Sequence, residues 1–216
     1  MDKIKLTIQE EKELIYNAIE KQVCELNEYP YIYSVITFGF YNNNGDRLPP
    51  DTIRKFWDKY EVERTCRLIY NLIKENLKVL QIYSFIERHE ELLDGNGEHI
   101  KDGRFHINLI TTDINDNTIE EPDRKIRRLL NENNGYGIPI SSMVGDIDTI
   151  KISLLEAAIK KADWVNKFQY SIKIQWLNTE DDLKRTIRYC FKDYLINNKV
   201  DFSDIIVSKA SDFYKP

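Results

Sequence analysis

Four runs rich in β-branched and aromatic residues dominate the chain: Tyr31–Phe40 (YIYSVITFGF), Val79–Glu87, Arg104–Thr111 (RFHINLIT) and Gln169–Trp176 (QYSIKIQW). Each reads as a strand. The first two are separated by a loop of turn formers and a helical stretch, and so are the last two. Only the second and third are joined by something hairpin-like, ERHEELLDGNGEHIKDG, with two glycine turns. Strands spaced in this way predict an α+β domain, with a central antiparallel sheet of about five strands flanked by helices. The fifth would be a short edge strand at Asp204–Val207.

The intervening segments carry helical signals. Thr7–Leu26 has Leu14, Ile15, Ile19 and Val23 on one stripe. Asp51 caps a helix running to about Glu75, with Ile53, Trp57, Leu68 and Leu72 among its apolar members. Ile119–Leu130 reads as a basic helix and Thr149–Lys161 as another. Asn178 or Thr179 starts the last, TEDDLKRTIRYCFKDYL. A chain of 216 residues fits one domain with a core of its own. That core spans about residues 31–195, with an N-terminal helix before it and a short extension after it.

Three scattered cysteines, Cys24, Cys66 and Cys190, make neither a disulfide framework nor a zinc pattern. The charged N-terminus has no apolar targeting core, and no stretch reaches membrane-spanning length. The expectation is a cytoplasmic protein that is neither exported nor membrane-embedded. A net charge of -5 argues against nonspecific coating of nucleic acid. It leaves room for a local basic patch, for which Arg124, Lys125, Arg127 and Arg128 are the candidates. Residues spread over a helix in this way are more often a solvated face.

Two short patterns carry chemistry. On the third strand His106 and Asn108 are two apart, so they leave the same face of the sheet. Phe105, Ile107 and Leu109 point to the other. Glu87, late on the preceding strand, would lie alongside. A carboxylate, an imidazole and an amide oxygen suit Mg²⁺ or Mn²⁺, although a single strand histidine is more often structural. On the last helix Leu183, Ile187, Cys190 and Tyr194 form an apolar stripe. Tyr189 is turned about 100° from Cys190 and shares its side with Lys192. A phenol is thereby free to face a ligand, with an ammonium beside it. His89 and His99 fall in the connection between the second and third strands and read as polar turn residues.

In this order the patterns resemble the HUH endonucleases of the single-tyrosine type, the rolling-circle replication initiators (Rep proteins) of plasmids and phages. YSVITF (Tyr33–Phe38) looks like their first motif, and FHINLI (Phe105–Ile110) like their His-apolar-His or His-apolar-Gln motif. YCFK (Tyr189–Lys192) is similar to their Tyr-x-x-Lys helix, and Glu87 matches their upstream glutamate. The similarity spans about Tyr31–Tyr194, with one departure: Asn108 stands where the family has His or Gln.

The resemblance implies a divalent metal held by Glu87, His106 and Asn108, with Tyr189 as the nucleophile toward single-stranded or hairpin origin DNA. It also implies a 5′-phosphotyrosine intermediate, and Lys192 as the group that activates the phenol or stabilises phosphate charge. No P-loop is present, so unwinding would fall to a host helicase. Two other readings remain: a degenerate HUH domain that binds DNA without cutting it, and an interaction protein of a mobile element that never touches DNA.

Overall fold

The computed structural model describes residues 6–26, 29–38, 44, 46, 49, 59–88, 92–93, 99–101, 105–120, 124–133, 146–161 and 170–196. The elements in chain order are α1 (Ile8–Glu25), β1 (Tyr31–Phe38), α2 (Lys59–Leu77), β2 (Ile82–Arg88), β3 (Leu92–Leu93), β4 (His99–Lys101) and β5 (Phe105–Thr112). They continue with α3 (Asp116–Glu120), α4 (Arg124–Asn133), α5 (Ile147–Lys160), β6 (Tyr170–Leu177), α6 (Glu180–Cys190) and α7 (Lys192–Ile196). The fold is α+β. Four antiparallel strands form one sheet in the order β2-β5-β1-β6, and β3 and β4 pair separately.

Strand alternation sends two different sets of side chains to the two faces. One face is aliphatic. Ile32, Ile36, Ile82, Ile86, Ile107 and Leu109 pack against Ile69, Ile73 and Leu77 of α2, Ile126 and Leu129 of α4, and Leu154, Leu155 and Ala158 of α5. The other face is aromatic. Tyr31, Tyr33, Tyr83, Phe85 and Ile110 meet Tyr16, Ile19 and Val23 of α1 and Leu183, Ile187 and Cys190 of α6. Phe191 is its hub, edge-on to Tyr16, Phe85 and Tyr194 with ring centroids 5.6, 5.5 and 6.0 Å apart. Pairs of this geometry add roughly 0.5–1.5 kcal/mol each beyond the area they bury.

Side-chain caps fix the helix starts. Thr7 and Glu10 form a reciprocal capping box on α1, Asp146 accepts from Thr149 N at 2.8 Å, and Thr179 accepts from Asp182 N at 3.1 Å. Each satisfies an amide that the helix itself leaves unpaired.

Several sequence expectations shift. On α1 the buried stripe is Lys12, Tyr16, Ile19 and Val23, while Leu14 and Ile15 are exposed. Lys12 displaces the leucine because its Nζ donates to the Tyr194 carbonyl at 2.7 Å and lies 4.6 Å from the centroid of the Tyr194 ring. The basic segment 119–130 is divided between α3, which ends at Glu120, and α4, which starts at Arg124; residues 121–123 lie outside the described residues.

The last helix also breaks. Phe191 caps α6 with its N–H bonded to the Ile187 and Tyr189 carbonyls, and α7 follows. The break lets Phe191 bury completely. Ile53, Trp57, His89 and the predicted strand at 204–207 lie outside the described residues. All three cysteines are free thiols. No described helix is long and apolar enough to cross a membrane.

Candidate active site

The aromatic face carries a polar inlay. Register places Glu87 on β2 directly opposite His106 on β5, with Phe85 opposite Asn108. On the other side β1 pairs Val35 with Asn108 and Tyr33 with Ile110. Tyr33 is therefore diagonal to Asn108, within reach of a long side chain. Its hydroxyl donates to Asn108 Oδ1 at 2.7 Å. Asn108 Nδ2 donates to Glu87 Oε2 at 3.4 Å. The other Glu87 oxygen, Oε1, is ion-paired with the Lys192 ammonium. Lys192 Nζ also lies 4.0 Å from the centroid of the Tyr189 ring, within cation–π range.

Burial grades the cluster outward. Asn108 is fully buried and Glu87 nearly so, whereas Tyr189 is 44% exposed. Tyr189 lies on the exposed side of α6 at its end, and Lys192 opens α7. Burial pulls the Lys192 pKa down, but hydrogen bonds and charge from Glu87 and Tyr189 outweigh it, leaving the ammonium above the ordinary lysine value. Burial pushes the Tyr33 phenol well up, with Cys190, Tyr189 and Glu87 adding to it. Burial likewise raises the Cys190 thiol, which makes it inert as a nucleophile. The group both accessible and accompanied by a cation is Tyr189.

An open groove of about 560 Å³ runs from Tyr189 over β1 and β6, lined among others by Tyr33, Val35, Gln175, Arg185 and Thr186. Gln175 and Lys173 are exposed on this part of the sheet. Asp182 also lines the groove, and its carboxylate is ion-paired with Arg185 at 2.6 Å.

Of the residues singled out from the sequence, Glu87, His106, Asn108, Tyr189 and Lys192 belong to this one face. Arg124, Lys125, Arg127 and Arg128 do not join them. They are exposed on α4, which buries Ile126 and Leu129 in the aliphatic core across the sheet. His99 starts β4, and its side chain lies outside the described residues. Tyr33 and Arg185 are the members sequence reasoning missed. Tyr33 sits in the first strand motif, and only the β1–β5 register, which local pattern does not encode, reveals its partner.

Glu87 and His106 face each other across neighbouring strands, but the carboxylate is already ion-paired with Lys192, so a hard cation would reach it only through its remaining lone pairs and would keep most of its waters. Asn108 does not fit beside them. An ionised carboxylate only accepts hydrogen bonds, so the amide atom turned to Glu87 must be the NH₂, and the oxygen is committed to Tyr33. Among the described residues no group of three or more His, Cys, Asp or Glu is gathered for a metal. The chain matches no known protein-family model, no curated protein and no solved structure.

Proposed function

We propose that this chain is an HUH-like endonuclease that nicks and rejoins single-stranded DNA through Tyr189, initiating rolling-circle replication of a plasmid or phage. The observation that carries this reading is a half-exposed tyrosine with an ammonium on its ring, where that ammonium is anchored by a buried carboxylate facing a histidine. A structural tyrosine needs none of these neighbours.

In this reading the DNA backbone follows the groove past Arg185, bringing one phosphate to Tyr189. The phenolic oxygen attacks phosphorus, and its proton passes to solvent. The P–O3′ bond breaks, and the departing oxygen takes up a proton to become a free 3′-hydroxyl. The new phosphotyrosine conserves the ester, so a later 3′-hydroxyl can reverse the step. Lys192 stabilises negative charge on the phenolate and on the phosphate oxygens. A Mg²⁺ or Mn²⁺ held by Glu87 and His106 would supply Lewis-acid polarisation of the phosphate. The basic residues of α4, across the sheet, are proposed to contact DNA only where it wraps beyond the groove.

The test uses single-stranded and hairpin oligonucleotides spanning the chain's own replicon, with Mn²⁺, read on a denaturing gel. The wild type forms a covalent adduct, and Tyr189→Phe forms none while melting at the same temperature. An adduct that survives in Tyr189→Phe rejects this nucleophile. Binding without any adduct points to the second reading, a DNA-binding domain that does not cut. The commitment of Asn108 to Tyr33 favours that alternative specifically.

A further inference from the structure

The departure at position 108 has a structural meaning of its own. A shared hydrogen-bond chain runs from the Tyr33 hydroxyl through the Asn108 amide and the Glu87 carboxylate to Lys192, and ends on the Tyr189 ring. We infer that Asn108 and Tyr33 are positioning residues: the amide braces Glu87 by donating to it, Glu87 holds Lys192 over Tyr189, and Asn108 is not a metal ligand.

The direction of each bond supports this. An asparagine offers one acceptor and one donor group, and the two partners use one each. Lys192 brings donors to one Glu87 oxygen and Asn108 brings one to the other, so both carboxylate oxygens are engaged from inside the protein. Turning the amide to present its oxygen to a cation would aim that oxygen at the Glu87 carboxylate and the NH₂ at the Tyr33 hydroxyl. Asn108 is completely buried, so no water repairs the lost bond to Glu87, and an unmet buried group costs about 1–3 kcal/mol. Removal of the Tyr33 hydroxyl unties the far end of the chain without touching Glu87 or Lys192.

The inference deepens the proposed reaction and rests on it for the step Lys192 serves, but not for the hydrogen bonds. The primary experiment is therefore independent of cleavage. In ¹⁵N-labelled full-length protein, the Asn108 side-chain amide is assigned by its loss in Asn108→Leu. The Nδ2 proton facing Glu87 is expected downfield of its geminal partner and protected from solvent exchange. It moves upfield in Glu87→Gln, and exchanges about tenfold faster in Tyr33→Phe, the equivalent of one ordinary hydrogen bond. Added Mg²⁺ leaves it downfield. A free-amide shift in the wild type overturns the inference, and so does a Mg²⁺-induced return to that shift, which is what a coordinating oxygen would require.

The second arm measures adduct formation at saturating oligonucleotide. Tyr33→Phe lowers the rate about 10–100-fold, as loss of a supporting partner does; because it also leaves the buried Asn108 oxygen without its donor, it lowers the melting temperature, and the rates are compared well below that temperature. An unchanged rate overturns the positioning role. Absence of any adduct in the wild type rejects the proposed reaction, while the amide signal still decides the role of Asn108.

Discussion

The two faces of one sheet differ in kind. The face toward α2, α4 and α5 is built mainly from isoleucine, leucine and alanine and is closed, with Ser34, Ser84 and Thr111 buried among them and the Ser34 and Ser84 hydroxyls lacking a hydrogen-bond partner. The face toward α1, α6 and α7 is aromatic, holds Glu87 and Asn108 among its buried residues, and opens into a groove beside Tyr189. Aliphatic packing maximises burial and asks nothing of orientation. The polar inlay contributes little net burial, and each member must find its partner or cost stability. The difference teaches that this fold concentrates its stability on one side of the sheet and its chemical options on the other.

The contrast breaks if the aliphatic face proves soft. Ile107→Ala, fully buried on that face, should cost about 2–5 kcal/mol in chemical denaturation, from lost burial and the cavity left behind. A loss well below 1 kcal/mol would mean the face is not the stabilising one.

A smaller effect is expected at its margin. There Lys151 is buried and ion-paired with Asp113 and Asp116, at 2.6 Å each. Burial pulls its pKa down, but the two carboxylates more than compensate and raise it. Lys151→Met should cost about 1–3 kcal/mol, less than a fully buried pair because Asp116 is exposed. The sign with pH follows from the raised value. The lysine's contribution is complete below the ordinary lysine pKa and fades as pH rises through the higher folded one. The gap between wild type and Lys151→Met should therefore be constant from neutral pH up to about 10 and narrow above it. A gap that narrows on acidification between pH 7 and 6 would contradict this assignment. Smallest of all, Leu14→Gln on the outer side of α1 should stay within about 0.5 kcal/mol. A larger loss would show that Leu14 is covered in solution.

The four strands of the main sheet were legible within a few residues, because β-branched and aromatic runs bounded by turn formers are a local signal, whereas the short β3 and β4 were not read as strands. The shared face of His106 and Asn108 was legible too, since it follows from a repeat of two; the proximity of Tyr189 to Lys192 was expected on one continuous helix and is found across the break between α6 and α7. The α1 stripe was not legible. Leucine at 14 and lysine at 12 invert the usual order of burial, and only the Tyr194 carbonyl explains why. Nor was the orientation of the Asn108 amide. Asparagine in a metal-like pattern looks like a ligand until its donor side is known, and that side is set by Glu87 and Tyr33, 21 and 75 residues away. The split between α6 and α7 was hidden for a related reason, since it depends on where Phe191 finds its aromatic neighbours.

The central position of β1 has a consequence for how the protein is made. This strand ends at Phe38, yet its partners begin only at Phe105 and Tyr170. At ribosomal speeds of about 5–20 residues per second, β1 waits roughly 3–13 seconds for its first neighbour and longer for its second. During that time the apolar run YIYSVITF has no sheet to join, and closing such distant pairings makes folding slow. The newborn chain is therefore most vulnerable to self-association before β6 leaves the ribosome, and a chaperone that shields extended apolar segments should raise its yield.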